Sequence, residues 1–537
     1  MRSLVLLALS PWSWAQQPAP AAPTDDLVSA PALAAQVRFL AHDLLEGRGV
    51  GSRADALTRL YIGTQFEGLG LQPAFGDGFD QRVPIVGITS KTTTALTAHG
   101  KGGEAAFVGG RDFTVRAARP DARTGVVGAP LVFVGYGITA PEQEWDDFKD
   151  ADVRGKVLLV MNNDPADDPA LFAGKERLYY GRWSYKYEEG ARRGAAAVVV
   201  IHTNESAGYP FNVIQAKYEQ EEFHLPFDAA TPTLLLECWC AEDAARTMVG
   251  LGGHDLDALR AAAERRDFRP VELGVTVDLA TENRVREVVS GNVVAKLPGG
   301  DPTLASQAVL VTAHFDHLGI GPERKGDSIY NGAVDNASGT AAMLVLARAC
   351  AALSPAPKRS IYFAAVTAEE SGLLGSSYLA RNPPCRIEDL VADFNIDGVN
   401  IWGATRDVEM IGYGKSSLTA LAQAVAARHG REVRPNQEPD KGLFYRSDHF
   451  SFAKVGVPSA YFKAGSEFFE KADARRRIKA LYTNTYYHQP SDEFEPARWH
   501  LDGAVADLRL VLECLLEVAN ADAAPTWTPG DEFEKLR

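Results

Sequence analysis

Cysteine is scarce in this chain of 537 residues, with only Cys238, Cys240, Cys350, Cys385 and Cys514. An odd count at so low a density excludes a disulfide scaffold. Cys238 and Cys240 flank a single Trp, a spacing at which a direct bridge is strained, and no zinc-type ligands lie beside them. Buried thiols are the expectation for most of the five. Positive charge is also short. Lys and Arg number 55 against 70 Asp and Glu, for a net charge of −15. That excludes nucleic acid or an anionic membrane surface as a main partner, because phosphate recognition needs a basic face. Long apolar runs are missing too: none approaches the ~20 residues that cross a bilayer, so no stable membrane insertion is expected.

The opening segment, MRSLVLLALSPWSWAQQPAPAAP, has Arg2, an apolar run from Leu4, and Ser13 and Ala15 spaced as in a cleavage site. Residues 1–15 therefore read as a secretory signal, and the protein as exported, periplasmic or extracellular. No Cys follows the apolar run, which argues against a lipid anchor. The Pro/Ala-rich continuation makes 16–29 a disordered linker.

What is present is ordinary globular material, 46% hydrophobic and 23% charged, at a length that allows two large domains or about three or four smaller ones. From about Ala30 to Leu71 apolar residues recur at helical spacing, broken at Gly47, restarted by Ser52 and ended by Gly68 and Gly70. Between about 120 and 285 the character changes. APLVFVGYGI, GKVLLVMNN, GAAAVVVIH and TPTLLLECW read as short strands, with SYKYEEGARR as a helix, forming a β-rich α/β unit without a legible site. His202, His224 and His254 are scattered there and read as surface or core imidazoles. From about Ser290 strands and helices alternate to the long helix DGAVADLRLVLECLLEVAN, which predicts an α/β fold with a mixed, mostly parallel sheet sandwiched by helices. Ligand sites in such sheets lie at the carboxyl ends of the strands.

Those ends carry one recurring class of residue. VLVTAHFDHLG presents His314, Asp316 and His317; NGAVDNASG presents Asp335; AAVTAEESG presents Glu369 and Glu370; FNIDGVN presents Asp397; YYHQPSDEF presents His488. Singly each has a plain structural explanation, such as a helix cap for Asp335. Together they would crowd carboxylates into one pocket at a large desolvation cost, which a dinuclear cation site relieves. Imidazole and carboxylate donors without thiolate suit catalytic Zn²⁺, with Co²⁺ or Mn²⁺ as substitutes.

The ordered motifs AHFDHLG, GAVDNASG, EESGLLGS, NIDG, YRSDHFSFAKVGVP and YHQPSD resemble the co-catalytic zinc peptidase family that includes bacterial leucine aminopeptidases, the glutamate carboxypeptidase II group and the glutaminyl cyclases. FLAHDLLEGRGVGS and FEGLGLQP resemble the opening of many secreted members, and the middle region resembles the protease-associated domain often inserted in them. The resemblance implies a zinc exopeptidase of phosphorylase/hydrolase-like fold. Residues 30–119 would be the N-terminal part of the peptidase domain, 120–287 an inserted protease-associated domain, 288–522 the catalytic domain and 523–537 a tail. It implies two Zn²⁺, with His314 and Asp397 on one, Glu370 and His488 on the other, and Asp335 bridging. Asp316 would hydrogen-bond His314, Glu369 would be the general base toward a metal-bridged water, and Tyr487 would polarise the scissile carbonyl. Members have a cis peptide after the bridging Asp, here Asp335–Asn336. Adjacent residues of an extended segment face opposite ways, which would let Glu370 face the metal and Glu369 the water.

The expected activity is hydrolysis of N-terminal peptide bonds on peptide substrates. Arg446 and His449 lie near the site by the same resemblance. Arg446 could bind a substrate carboxylate, which keeps a carboxypeptidase or dipeptidase open, or could pair with an acid such as Asp448. Glutaminyl cyclisation and a receptor-like, non-catalytic role are the remaining alternatives.

Overall fold

The structure is a computed structural model that describes residues 25–537 apart from 166–170, 173, 175, 216 and 229. The expected signal, 1–15, and most of the expected linker lie outside the described residues. The end of that linker is ordered: Asp25–Leu27 form a 3-10 turn and Val28 is fully buried, because Leu27 and Val28 pack on the main core.

The first helix, Ala30–Leu40, stops earlier than its apolar spacing suggests. His42 caps a 3-10 stretch, Asp43–Arg48, by accepting from the Leu44 amide at 3.1 Å. Gly47 there is left-handed at φ 66°, and a Cβ on it would lie 2.3 Å from the Tyr330 carbonyl oxygen, so only glycine fits. The next helix, Arg53–Gly68, starts where expected, with the Ser52 hydroxyl accepting from Asp55 N–H at 3.1 Å.

The catalytic half is built on strands in the spatial order Glu432–Pro435, Asp407–Ile411, Ser459–Ala464, Leu390–Asn395, Ala308–His314, Ser360–Val366 and Val271–Leu297. Leu390–Asn395, Ala308–His314 and Ser360–Val366 run parallel, as do Ser459–Ala464 and Leu390–Asn395, while Asp407–Ile411 and Val271–Leu297 enter antiparallel. The helices Gly339–Ala351 and Asp502–Asn520 bury their apolar faces on this sheet in one large core. The mixed, mostly parallel sheet covered by helices is thus present.

Val271–Leu297 is one long strand that continues into the other half. Its far end pairs with Arg123–Phe133, followed in parallel by Val157–Met161, Ala197–His202 and Leu236–Ala241. It also pairs along its length with Asp80–Gly100. The expected boundary at 287 falls inside this strand. Leu96, Ala98, Phe107, Phe113 and Val115, ahead of 120, belong to the apolar cluster of the middle region. The expected tail is packed as well: Trp527 and Phe533 are buried against Ile411, Phe444, Tyr445, Phe450 and Tyr461, and the Trp527 indole donates to the Gly456 carbonyl at 2.8 Å. All five cysteines are free thiols, four buried and Cys385 half-buried.

Candidate metal centre

Parallel pairing sets His314 opposite Val366 and Thr312 opposite Asn395, so three strands end at one level. The turns that leave them carry the polar residues. His314 closes its own strand. Glu369 and Glu370 lie in the turn after Ser360–Val366, and Asp397 lies two residues beyond Leu390–Asn395.

Asp335 comes from the loop before Gly339–Ala351, and its backbone is pinned from several sides. The Asp492 carboxylate accepts from the Val334 amide at 3.1 Å and the Asp335 amide at 3.2 Å. The Asn336 side chain donates to the Ile396 carbonyl at 2.9 Å and accepts from Gly339 at 2.9 Å and Gly398 at 2.8 Å. These bonds tie the Asp335 loop to the Asp397 turn. The Asp335–Asn336 peptide is cis.

Two groups of donors result, His314 with Asp335 and Asp397, and His317 with Asp335 and Glu370; in each the ligand atoms lie within 4.8 Å of one another. Asp335 is common to both. Its Oδ1 is 3.3 Å from His314 Nε2, and its Oδ2 is 3.1 Å from His488 Nε2. His314 Nε2 is also 3.5 Å from Asp397 Oδ1, and His488 Nε2 is 3.2 Å from Glu370 Oε2. Nδ1 of His314 lies 3.2 Å from the Asp316 main-chain carbonyl, an acceptor only, which leaves Nε2 as the lone-pair atom facing the carboxylates.

The fit to metal follows from those atoms. Nε2 of His314 and Oε1 of Glu370 are buried without an aligned hydrogen bond. Buried polar groups left in this way are costly, and here each lies in one of the two donor groups, so a divalent cation in each group would satisfy them. The nitrogen and oxygen donor set matches Zn²⁺.

Electrostatics in the pocket are correspondingly polarised. Burial raises the Glu369 carboxyl well above the usual range; His314 opposes this, while Glu370, Asp448 and Asp397 add to it. Burial also opposes ionisation of Asp335, but His314, His488 and His317 outweigh it and hold Asp335 well below its ordinary value. His488 shows the reverse balance: burial disfavours its charge, yet Glu370 and Asp335 push it up to about 10.

The structure places the other expected site residues as follows. The atom of Asp316 that meets His314 is its carbonyl oxygen; the carboxylate is 3.8 Å from His314 Nδ1. That carboxylate instead accepts from the amides of Glu369, at 3.1 Å, and Glu370, at 3.4 Å, capping the turn that carries both glutamates. The turn is not extended, since Ala368 is left-handed at φ 54°, so turn geometry rather than strand alternation separates the two carboxylates. His449 is a fully buried core imidazole against Phe444 and Tyr461, and burial pulls it down to about 3. Arg446 is exposed, and no carboxylate among the described residues pairs with it. Tyr487 stacks on His488 with ring centroids 3.9 Å apart.

Three residues join the site without having been assigned a role. His317 Nδ1 lies 2.7 Å from Glu370 Oε1. It falls three residues after His314, but nothing in AHFDHLG tells a second donor from a turn residue. Asp492 closes the YHQPSD motif. Arg48 lies beneath the centre, fully buried, and donates to the carbonyls of Phe315, Leu40, Asn331 and Gly332 at 2.6–3.0 Å. Its signal was the EGRG turn, whose purpose needs the fold to become visible.

A mostly parallel sheet whose strand ends assemble two donor groups sharing one carboxylate defines a candidate metal centre at the carboxyl edge of the sheet. Residues 292–512 match the model of Peptidase family M28, and the chain carries a metallopeptidase domain of that family. Aminopeptidase YwaD of Bacillus subtilis (strain 168) is 25% identical over 410 residues, covering 72% of this chain and 67% of that protein. A probable zinc metalloprotease of Pyrenophora tritici-repentis is 28% identical over 251 residues, 45% of this chain, and the chain spans 50% of that relative's length. Among solved structures, an aminopeptidase from Aneurinibacillus sp. strain AM-1 shares the fold, with a TM-score of 0.51 at 19% identity over 94% of this chain and 97% of that one.

Proposed function

We propose that this protein is an exported, zinc-dependent exopeptidase that removes residues from the amino ends of peptides. The observation that carries the reading is the division of the carboxylates. Asp335 is shared by the two donor groups, Glu370 and Asp397 each complete one, and Glu369 stands beside them in neither. His314, Asp335 and Asp397 would hold one zinc, and Asp335, Glu370 and His488 the other, with His317 against Glu370. Such ions, when bound, supply Lewis acidity toward water and the peptide carbonyl. Glu369 would then take the proton of the attacking water and return it to the leaving amine. Asp316 holds Glu369 and Glu370 in register through their amides. Tyr487, whose ring stacks on His488, would donate to the developing oxyanion. Relatives named as aminopeptidases support the amino-end reading, and the middle region is proposed to be the protease-associated insertion.

Hydrolysis of Leu-p-nitroanilide, with mass analysis of products from a free hexapeptide, tests this. Release of the first residue is expected; stepwise loss of the last would replace the reading with a carboxypeptidase. Chelation should abolish turnover, zinc should restore it, and the melting temperature should fall by on the order of 5 °C as the buried carboxylates lose their counter-ions. An unchanged melting temperature after verified zinc removal would contradict the donor groups. His488→Ala should lower bound zinc from two per chain, read by elemental analysis.

A further inference from the structure

Arginines of the middle region and of the catalytic half meet at one place. Segment 177–183 lies on 439–450. The Arg177 amide donates to the Pro439 carbonyl at 3.0 Å, and the Tyr179 ring lies 4.9 Å from that of Phe450 and 6.2 Å from that of Tyr445. Lys454 donates to the Tyr179 hydroxyl at 2.9 Å. This contact brings Arg177, Arg182 and Arg446 within electrostatic reach of one another.

Their charges are unequally compensated. Arg177 has Asp164 and Asp440 nearby and donates to the Ser206 carbonyl at 3.1 Å. Arg182 has a buried Nε without a hydrogen-bond partner, and among the described residues neither Arg182 nor Arg446 pairs with a carboxylate. The strongest neighbours of Arg182 are Arg446, Tyr209 and Arg177. Burial, then Arg446, pulls Arg182 down to about 9. Among the described residues these two like charges, in a chain of net charge −15, lack the carboxylate that a guanidinium normally takes as a fork.

The cluster adjoins the metal centre. Arg446 precedes Ser447, whose hydroxyl accepts from Asn395 at 2.7 Å at the end of a sheet strand. The Tyr487 hydroxyl feels Arg446 together with Asp335, Glu370 and Glu369. We propose that Arg182 and Arg446 form a carboxylate-recognising subsite beside the metal centre, which makes short peptides with a free carboxylate the favoured substrates. This rests on the peptidase reading above. The shared ligand chemistry is a carboxylate, either the terminal group of a di- or tripeptide or an acidic side chain.

The test compares Leu-Gly-Gly, Leu-Gly-Gly-amide and Leu-Glu-Gly-amide as substrates of the zinc-loaded enzyme. The free acid is expected to exceed the neutral amide by about tenfold in kcat/KM, the scale of one charge-assisted contact. The Glu-containing amide tells a side-chain carboxylate from a terminal one. In Arg182→Met and in Arg446→Met the ratio of acid to amide should fall toward one, and Arg446→Lys should restore part of it. Circular dichroism melting of each variant separates this from misfolding. Calorimetric binding of the same peptides to zinc-loaded Glu369→Gln gives the contrast without turnover, so a failure of the hydrolysis reading leaves it measurable. A wild-type ratio near one in both rate and binding, or a ratio unmoved in both Met variants, overturns the subsite.

Discussion

Glu369→Gln should keep two zinc ions per chain and lose turnover by about 10²–10⁴-fold, the usual contribution of a positioned general base. The substitution preserves the amide that donates to Asp316 at 3.1 Å, so the turn keeps its cap. It leaves the donor groups intact, because Glu369 belongs to neither. Only the exchangeable proton site is removed. Zinc content by elemental analysis and steady-state rates on Leu-p-nitroanilide read the two quantities separately. Loss of zinc would mean that Glu369 is a ligand. Retention of most of the turnover would remove it from the chemistry.

Arg48→Met should destabilise the protein by about 3–5 kcal/mol, the range for breaking a buried charge from its partners. Arg48 is 1% exposed and binds carbonyls on both sides of the centre, Phe315 next to His314 and Gly332 near Asp335. Its charge also faces Asp316, Asp492, Asp335 and Glu370, while burial pulls its own pKa down to about 10. Methionine fills similar space but leaves four carbonyls without a donor. Lysine would keep the charge yet lack the planar fork that reaches them. Denaturant midpoints for wild type, Met and Lys variants check this, with the Lys variant expected to stay well below wild type. A Met variant within about 1 kcal/mol of wild type would reduce Arg48 to a filler.

The arrangement of strands around the site was legible because the strands are short, mainly apolar runs, and His314, the Glu369–Glu370 pair and Asp397 end them or follow within a few residues, whereas Asp335 and His488 come from the segment before Gly339–Ala351 and the turn after helix Ala472–Thr485. His314 and the Glu369–Glu370 pair were visible as polar residues at the ends of such runs. Arg48 was not. Its partners Phe315, Asn331 and Gly332 lie far away in sequence, and an Arg in a Gly-rich turn looks the same whether it meets solvent or a buried carbonyl. For Asp316 the expected bond to His314 is present, but spacing does not say whether a residue's carbonyl or its carboxylate makes it. The Arg182–Arg446 proximity depends on two halves meeting, and no local pattern encodes that contact.

The long strand Val271–Leu297 has a consequence for how the molecule is made. Its pairing with Asp80–Gly100 encloses the entire middle region, whose other strands all precede it in the chain. During synthesis those strands are available before the catalytic sheet can close against Ser360–Val366. Non-local pairings of this kind form late, and earlier units fold first. The middle region is thus placed to act as a folding template for the catalytic sheet, so damage to its core should reduce the yield of active molecules more than the turnover of each one.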